Sequence, residues 1–293
     1  MASILTNTGA MVALQTMRGI NKEMGTVQNQ ISTGMKVGTA KDNAATWAIA
    51  SVMRSDVAGL KSVAENLELG RSTISVARVA TESIAELMNE VKEKILAAGD
   101  LTNADSKAKL TTDIANIADQ IDTMIRSASF NGVNLIGQVD DTGAFEEVDN
   151  DDYNIISSLK RDSAGALSTE AINVASVDLG FFDLDGAELS IGEHLQALDF
   201  ADIDDDLAAL EELMTAVINA SADFGSKEKQ IEIQANFVSK LTDALNQGIG
   251  SLVDADMEEA SAKLQALQVQ QQLGIQAMSI ANQQPQNILS LFR

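Results

Sequence analysis

Cysteine is absent from the 293 residues, and proline and histidine occur once each, as Pro285 and His194. Without cysteine there is no disulfide framework, zinc ribbon, thiol nucleophile or iron–sulfur cluster. The same absence suits a chain that enters an oxidising compartment without cross-linking. A lone proline removes the commonest helix breaker. A lone histidine excludes the two-histidine zinc-protease motif, which needs a second His on the same helix face with a Glu between. Aromatics are scarce, with eight Phe, one Trp and one Tyr. Apolar content therefore rests on Ala, Ile, Leu, Val and Met, which suits long helices packed along their lengths.

Positive charge is also in short supply. Lys and Arg number 20 against 43 Asp and Glu, a net charge of −23. From Asp140 to Glu212 there are 21 acids against only Lys160 and Arg161, a local net of −19 that leaves about −4 elsewhere. A central acidic block between near-neutral ends argues against nucleic acid or anionic membrane as partners. It reads as a solvated outer surface. The N-terminus lacks a basic segment followed by a continuous apolar run, and Thr6, Asn7, Thr8 and Gln15 interrupt any such run, so no secretory leader is expected.

Between Lys263 and Arg293 lie 29 consecutive residues with no formal charge. Nine of them are Gln and Pro285 interrupts the run, which excludes a membrane span. What the run carries is a seam: Val253, Met257, Ala260, Leu264, Leu267, Gln271, Gly274, Met278, Ala281, Pro285, Ile288 and Phe292. Steps of four and three alternate throughout, the spacing of a helix that packs on another helix. The N-terminus carries a similar seam at Leu14, Met17, Asn21, Met24, Gln28, Ile31 and Met35. Both ends thus predict helices with apolar stripes and little charge, marginal alone in water, and the expectation is self-assembly with other copies covering the seams.

The interior follows the same logic. A seam from Ile49 through Met53, Asp56, Leu60, Val63, Leu67, Gly70, Ile74, Ala77, Thr81, Ile84, Met88 and Val91 to Ile95 predicts a helix on the order of 70 Å long. Gly99-Asp100 ends it, Thr102 or Asn103 caps the next helix, and Leu110, Ile114, Ile117, Ile121, Met124 and Ala128 form one face of that helix. After Phe130 the pattern breaks into short segments, Val133–Val139, Tyr153–Lys160, Ala171–Leu179 and Glu188–Ile191, separated by Asp, Asn and Gly. These read as β hairpins. Helix returns near Asp202 and continues to Leu245, with Gly248 and Gly250 expected to separate it from the terminal helix.

No catalytic or metal constellation emerges. Phe181-Phe182-Asp183-Leu184-Asp185-Gly186 has Asp-Gly as a turn signal, but the calcium-loop template needs an acid where Phe181 stands and a Glu where Gly192 stands. No serine sits in a nucleophile elbow. His194 is expected at the surface of the β segment. Trp47 is read as a packing residue and Asp42 as a cap or ion-pair partner. Asn219-Ala220-Ser221 matches the N-glycosylation pattern but falls inside a predicted helix. No cofactor is expected.

Several motifs now converge. Ile31-Ser32-Thr33-Gly34 is followed by Ala40-Lys41-Asp42-Asn43-Ala44-Ala45. Ser129-Phe130-Asn131-Gly132-Val133-Asn134-Leu135-Ile136 supplies a Phe-Asn-Gly turn. Asp254-Ala255-Asp256-Met257 and Gln270-Gln271-Gln272 precede the ending Ala281-Asn282-Gln283-Gln284-Pro285-Gln286-Asn287-Ile288-Leu289-Ser290-Leu291-Phe292-Arg293. In these stretches, at both ends, the chain resembles the bacterial flagellins.

The resemblance implies a mainly α fold with a β insert. A long helical rod, coiled coil or bundle, is formed by the N- and C-terminal segments, and a small β-rich domain lies outermost. Its divisions are an N-terminal core helix over 1–44, a first rod part over 45–139, the outer domain over 140–200, a second rod part over 201–250 and a C-terminal core helix over 251–293. It implies a non-enzymatic subunit that polymerises with itself into the flagellar filament, or alternatively a hook–filament junction protein of the same architecture. Leu14, Met17, Met24, Ile31, Leu264, Leu267, Met278, Ala281, Ile288 and Phe292 are the expected self-association residues. Implied partners are the flagellar cap and hook–filament junction proteins, an export chaperone and the flagellar secretion apparatus. The implied location is the extracellular flagellum. The family is also sensed by a Toll-like receptor through a segment matching Met88–Ile95. There this chain has Glu90 where Arg is expected and Lys94 where Leu is expected.

Overall fold

The computed structural model describes residues 7–99, 103–139, 145–146, 152–162, 165–180, 182–184, 187–197 and 203–291. Helix α1, Thr8–Thr33, starts where the Asn7 side chain accepts a hydrogen bond from Ala10 N, and ends at Gly34. Gly34 has φ 70°, the left-handed cap that glycine adopts without a Cβ clash. Helix α2 spans Ala44–Gly99 and α3 Ala104–Ser127. Asn103 caps α3 by accepting from Asp105 N at 3.0 Å; Thr102 and Asp100 lie outside the described residues.

Among the described residues eight short strands follow, paired as four antiparallel two-stranded ladders: β1 Ser129–Phe130 with β2 Val133–Asn134, β3 Gln138–Val139 with β4 Phe145–Glu146, β5 Tyr153–Arg161 with β6 Leu167–Val174, and β7 Phe182–Leu184 with β8 Ala187–Leu189. The β1–β2 turn is Asn131-Gly132, both at positive φ, as a two-residue hairpin turn with right-handed strand twist requires. Helix α4, Ile191–Gln196, follows β8, and the chain closes with α5, Ile203–Val253, and α6, Met257–Leu291.

The chain forms two compact units, one from Met1–Val57 with Asp243–Arg293 and one from Ala58–Thr242. In the second unit every seam position of α2 from Leu60 to Ile95 is buried. The polar exception Thr81 is satisfied because its hydroxyl donates to Arg78 O at 2.9 Å. Gly70 is where the β5–β6 hairpin lands: a Cβ there would stand 2.5 Å from Ile155 Cδ1, so only glycine lets the strand approach. Ile155 and its cross-strand partner Ile172 are both buried. Gln234 of α5 donates to Ser157 O at 2.9 Å, tying the hairpin to a second helix. Ion pairs Arg78–Glu228 at 2.7 Å and Lys92–Glu211 join α2 to α5. The hydrogen bonds that Arg78 donates to Glu228 and Glu82 hold its guanidinium pKa above its ordinary value.

Three local expectations are corrected. Val133–Val139 is not one strand: β2 stops at Asn134, whose side chain bonds Ile125 O and Ile136 N. Glu188–Ile191 is not all strand either, since Ser190 starts α4 with a capping box to Glu193. Such a Ser-x-x-Glu pair is a helix start signal that alternating apolar residues obscured. Nor do Gly248 and Gly250 break α5, which runs on to Val253. A Cβ on Gly248 would lie 3.0 Å from Met53 Cε, so this glycine serves close helix packing. The chain turns instead at Asp254–Asp256, where Asp256 caps α6 by accepting from Glu258 N and Glu259 N.

Candidate self-association surface

In the unit built from the chain ends, α1 and α6 run antiparallel. Asn7 Nδ2 donates to Ala281 O at 2.8 Å, Gln271 Nε2 donates to Asn21 Oδ1 at 2.8 Å, and Met35 forms an isolated bridge with Asp254. Between these points Val27, Ala260 and Leu267 are buried, with Ile20, Met24, Ile31 and Leu264 packed against them. A second cluster comprises Ala50, Val57, Ile249 and Val253, with Met35, Met53 and Leu245 around it. Ala50, not the expected Ile49, faces inward; Ile49 is exposed.

The C-terminal seam falls on one line of the helix. Ala260 and Leu267 are buried, and Leu264, Gln271, Gly274, Met278 and Ala281 are half-buried, while Met257 is exposed. Ile288 belongs to α6 but its side chain lies outside the described residues, as does all of Phe292. On α1, Met24 and Ile31 pack against α6 and Met17 is half-buried. The alternate positions differ: Ile20 and Val27 turn inward, while Leu14, Asn21 and Gln28 are exposed. The two seams also cover one another within a single chain. Ala260 and Leu267 of α6 meet Val27 of α1 at the centre of this contact.

What then stays open is a second face. Ala266, Val269, Leu273, Gln276 and Ile280 recur at steps of three and four on α6, all exposed, with Val269 56 %, Leu273 58 % and Ile280 65 % exposed. On α1, Met11, Val12 and Leu14 are exposed too and line a groove of about 400 Å³ that ends at Arg18. A helix that carries no charge from Leu264 onward and is apolar on two sides is built to be covered on two sides. The single-seam reading of the sequence missed this stripe, although its residues were present at the same spacing.

The other singled-out residues are placed as follows. Glu90 is exposed and Lys94 half-buried, and they form an i,i+4 ion pair at 3.5 Å, with Lys94 also 3.7 Å from Asp113. His194 is not at the surface as expected: it is buried on α4, which packs against α3. There Ser190 Oγ donates to Asp122 Oδ2 at 3.1 Å, while Asp122 Oδ1 is buried without a hydrogen bond of good geometry. Burial pushes the Asp122 carboxyl above the usual range, opposed by the Ser190 hydrogen bond and the Arg126 charge. Asp42 accepts from Thr39 N and Thr39 Oγ1, which lowers its pKa. Trp47, in the first turn of α2, is 37 % exposed. Among the described residues no group of three His, Cys, Asp or Glu is placed to hold a metal ion, and no helix is long and apolar enough to cross a membrane.

Comparison with known proteins agrees with this architecture. Residues 4–140 match the bacterial flagellin N-terminal helical region and residues 207–292 the bacterial flagellin C-terminal helical region. A flagellin of Brucella melitensis is 37% identical over 293 residues, covering 100% of both chains. Flagellin FljK of Caulobacter vibrioides is 37% identical over 297 residues, covering 99% of this chain and 98% of its own. The solved structure of a putative flagellar hook-associated protein from Vibrio parahaemolyticus has a TM-score of 0.55 at 16% identity, covering 73% of this chain and 100% of its own. That likeness concerns the fold alone, and full-length identity to flagellins disfavours the junction-protein alternative. With both terminal helical regions and whole-length relatives in agreement, the chain belongs to the bacterial flagellin family, and it is a structural subunit of the flagellar filament.

Proposed function

We propose that this chain polymerises through the faces of α1 and α6 that remain open after the two helices pair. The observation that carries the reading is the exposed stripe Val269, Leu273 and Ile280 on a helix without charge from Leu264 onward. Covering such side chains stabilises by about 25 cal/mol per Å² of apolar surface removed from water. A contact between unlike patches repeats without closing and so generates a helical filament. The acidic insert over 140–200 takes the solvent side, where like charges keep neighbouring filaments apart within a Debye length of ~10 Å at 0.1 M salt.

In this reading the subunit is secreted through the flagellar export apparatus with a chaperone on its terminal helices. It adds beneath a cap at the growing end and stands on hook–filament junction proteins. The test is electron microscopy of purified protein seeded with filament fragments. Full-length chain extends the seeds, whereas chain ending at Lys263 does not. Long filaments from the truncated chain would refute the proposal.

A further inference from the structure

We infer that the groove beside the α1–α2 connection is an electrostatic socket for the acidic start of α6 in a second copy of this chain. The inference rests on the filament reading and names one of its contacts. The groove has a volume of about 520 Å³, and its lining includes Lys22, Lys36, Lys41, Thr39 and Asp42. Asp42 is committed to the connection itself, holding Thr39 by two hydrogen bonds. Lys41 is close enough to help lower the Asp42 pKa. Neither Lys22 nor Lys36 has a carboxylate within ion-pair distance among the described residues. The groove thus presents three ammonium groups against one carboxylate.

The complementary charge sits in the same unit. Asp254, Asp256, Glu258 and Glu259 are exposed at the turn into α6, and no Lys or Arg interrupts them before Lys263. Asp256 is occupied as the helix cap, but Glu258 and Glu259 form no ion pair among the described residues. The backbone brings the two segments close, through the Met35–Asp254 bridge and the hydrogen bond from Lys36 N to Val253 O at 2.7 Å. The side chains nevertheless do not pair within one copy. A basic groove and an acidic turn carried by every copy are the two unlike patches that a head-to-tail contact needs. Opposite charge steers such an encounter and sets its register, and like charge at the same place opposes it.

The test measures the critical concentration for polymerisation of the full chain. Lys22→Glu with Lys36→Glu raises it by about tenfold or more, and so does Glu258→Lys with Glu259→Lys. All four changes in one chain bring it back toward the parent value, because every socket and turn is again complementary. Mixing the two impaired proteins restores co-polymerisation, which places the pairing between copies. Neutral Lys22→Gln with Lys36→Gln gives a smaller rise that fades as salt increases. Normal polymerisation of both reversed pairs overturns the socket. A fourfold variant as impaired as the worse pair, or a mixture that stays monomeric, overturns the acidic turn as its occupant. Failure of the unmodified chain to polymerise sinks the filament reading itself.

Discussion

Replacing Leu273 by Gln separates the two faces of α6. Leu273 is 58 % exposed and lies off the seam that meets α1, so the change removes little intrachain packing, and Gln propagates helices nearly as well as Leu. Complete burial of a leucine side chain is worth about 1.5–3 kcal/mol. Little more than half of Leu273 remains to be covered, so its contribution to the polymer is roughly 1–2 kcal/mol per subunit. At 1.4 kcal/mol per factor of ten, the critical concentration should rise about 5- to 30-fold. Sedimentation of seeded polymer at graded protein concentrations gives that number. Circular dichroism of the monomer should meanwhile show unchanged helix content and melting temperature. An unchanged critical concentration would refute the assignment of this stripe to subunit contacts. A lower monomer melting temperature would show that Leu273 packs within the chain.

Leu267→Ala is the converse, since Leu267 is 4 % exposed beside Val27 and Ala260; it should destabilise the α1–α6 pair by about 2–5 kcal/mol, read as faster hydrogen exchange in both helices of the monomer while residues 58–242 stay protected. Asp122→Asn should raise the stability of the 58–242 unit at neutral pH, because it removes a charge that burial disfavours. Because the folded Asp122 pKa lies above the unfolded one, the parent loses stability as pH rises through the folded value. Arg126, Glu193 and Ser190 face this carboxyl. The Asn variant's advantage should therefore shrink on acidification, and a pH-independent difference in melting temperature would contradict this. Glu90 and Lys94, already paired to each other, should make the chain a poor agonist of the flagellin-sensing Toll-like receptor. A reporter assay on monomer should show gain of potency for Glu90→Arg with Lys94→Leu.

The helical skeleton was legible because its seams repeat over many turns. On α2 the period holds across Gly70 and Thr81, two residues that look like interruptions until Ile155 and the Arg78 carbonyl account for them. On α6 an unbroken four–three rhythm from Ala260 to Ala281 marks the seam that meets α1. On α1 the rhythm is ambiguous, since Leu14 and Met17 compete with Ala13 and Ile20 for the same stripe, and only the partner helix selects between them. Gly248 and Gly250 misled because glycine signals both a stop and a close approach, and the approaching residue, Met53, is nearly two hundred positions away. The second stripe of α6 was hidden for a different reason. Once one seam satisfies the helical period, sequence alone gives no cause to ask what covers the other side.

A helical reconstruction of filaments grown from the purified chain tests the central claim most directly. It should show Val269, Leu273 and Ile280 of one copy buried against neighbouring copies, with Met11, Val12 and Leu14 also at subunit contacts, while Leu264 and Leu267 keep Val27 and Ile31 as partners within the chain. Filaments in which Val269, Leu273 and Ile280 face solvent would contradict the account.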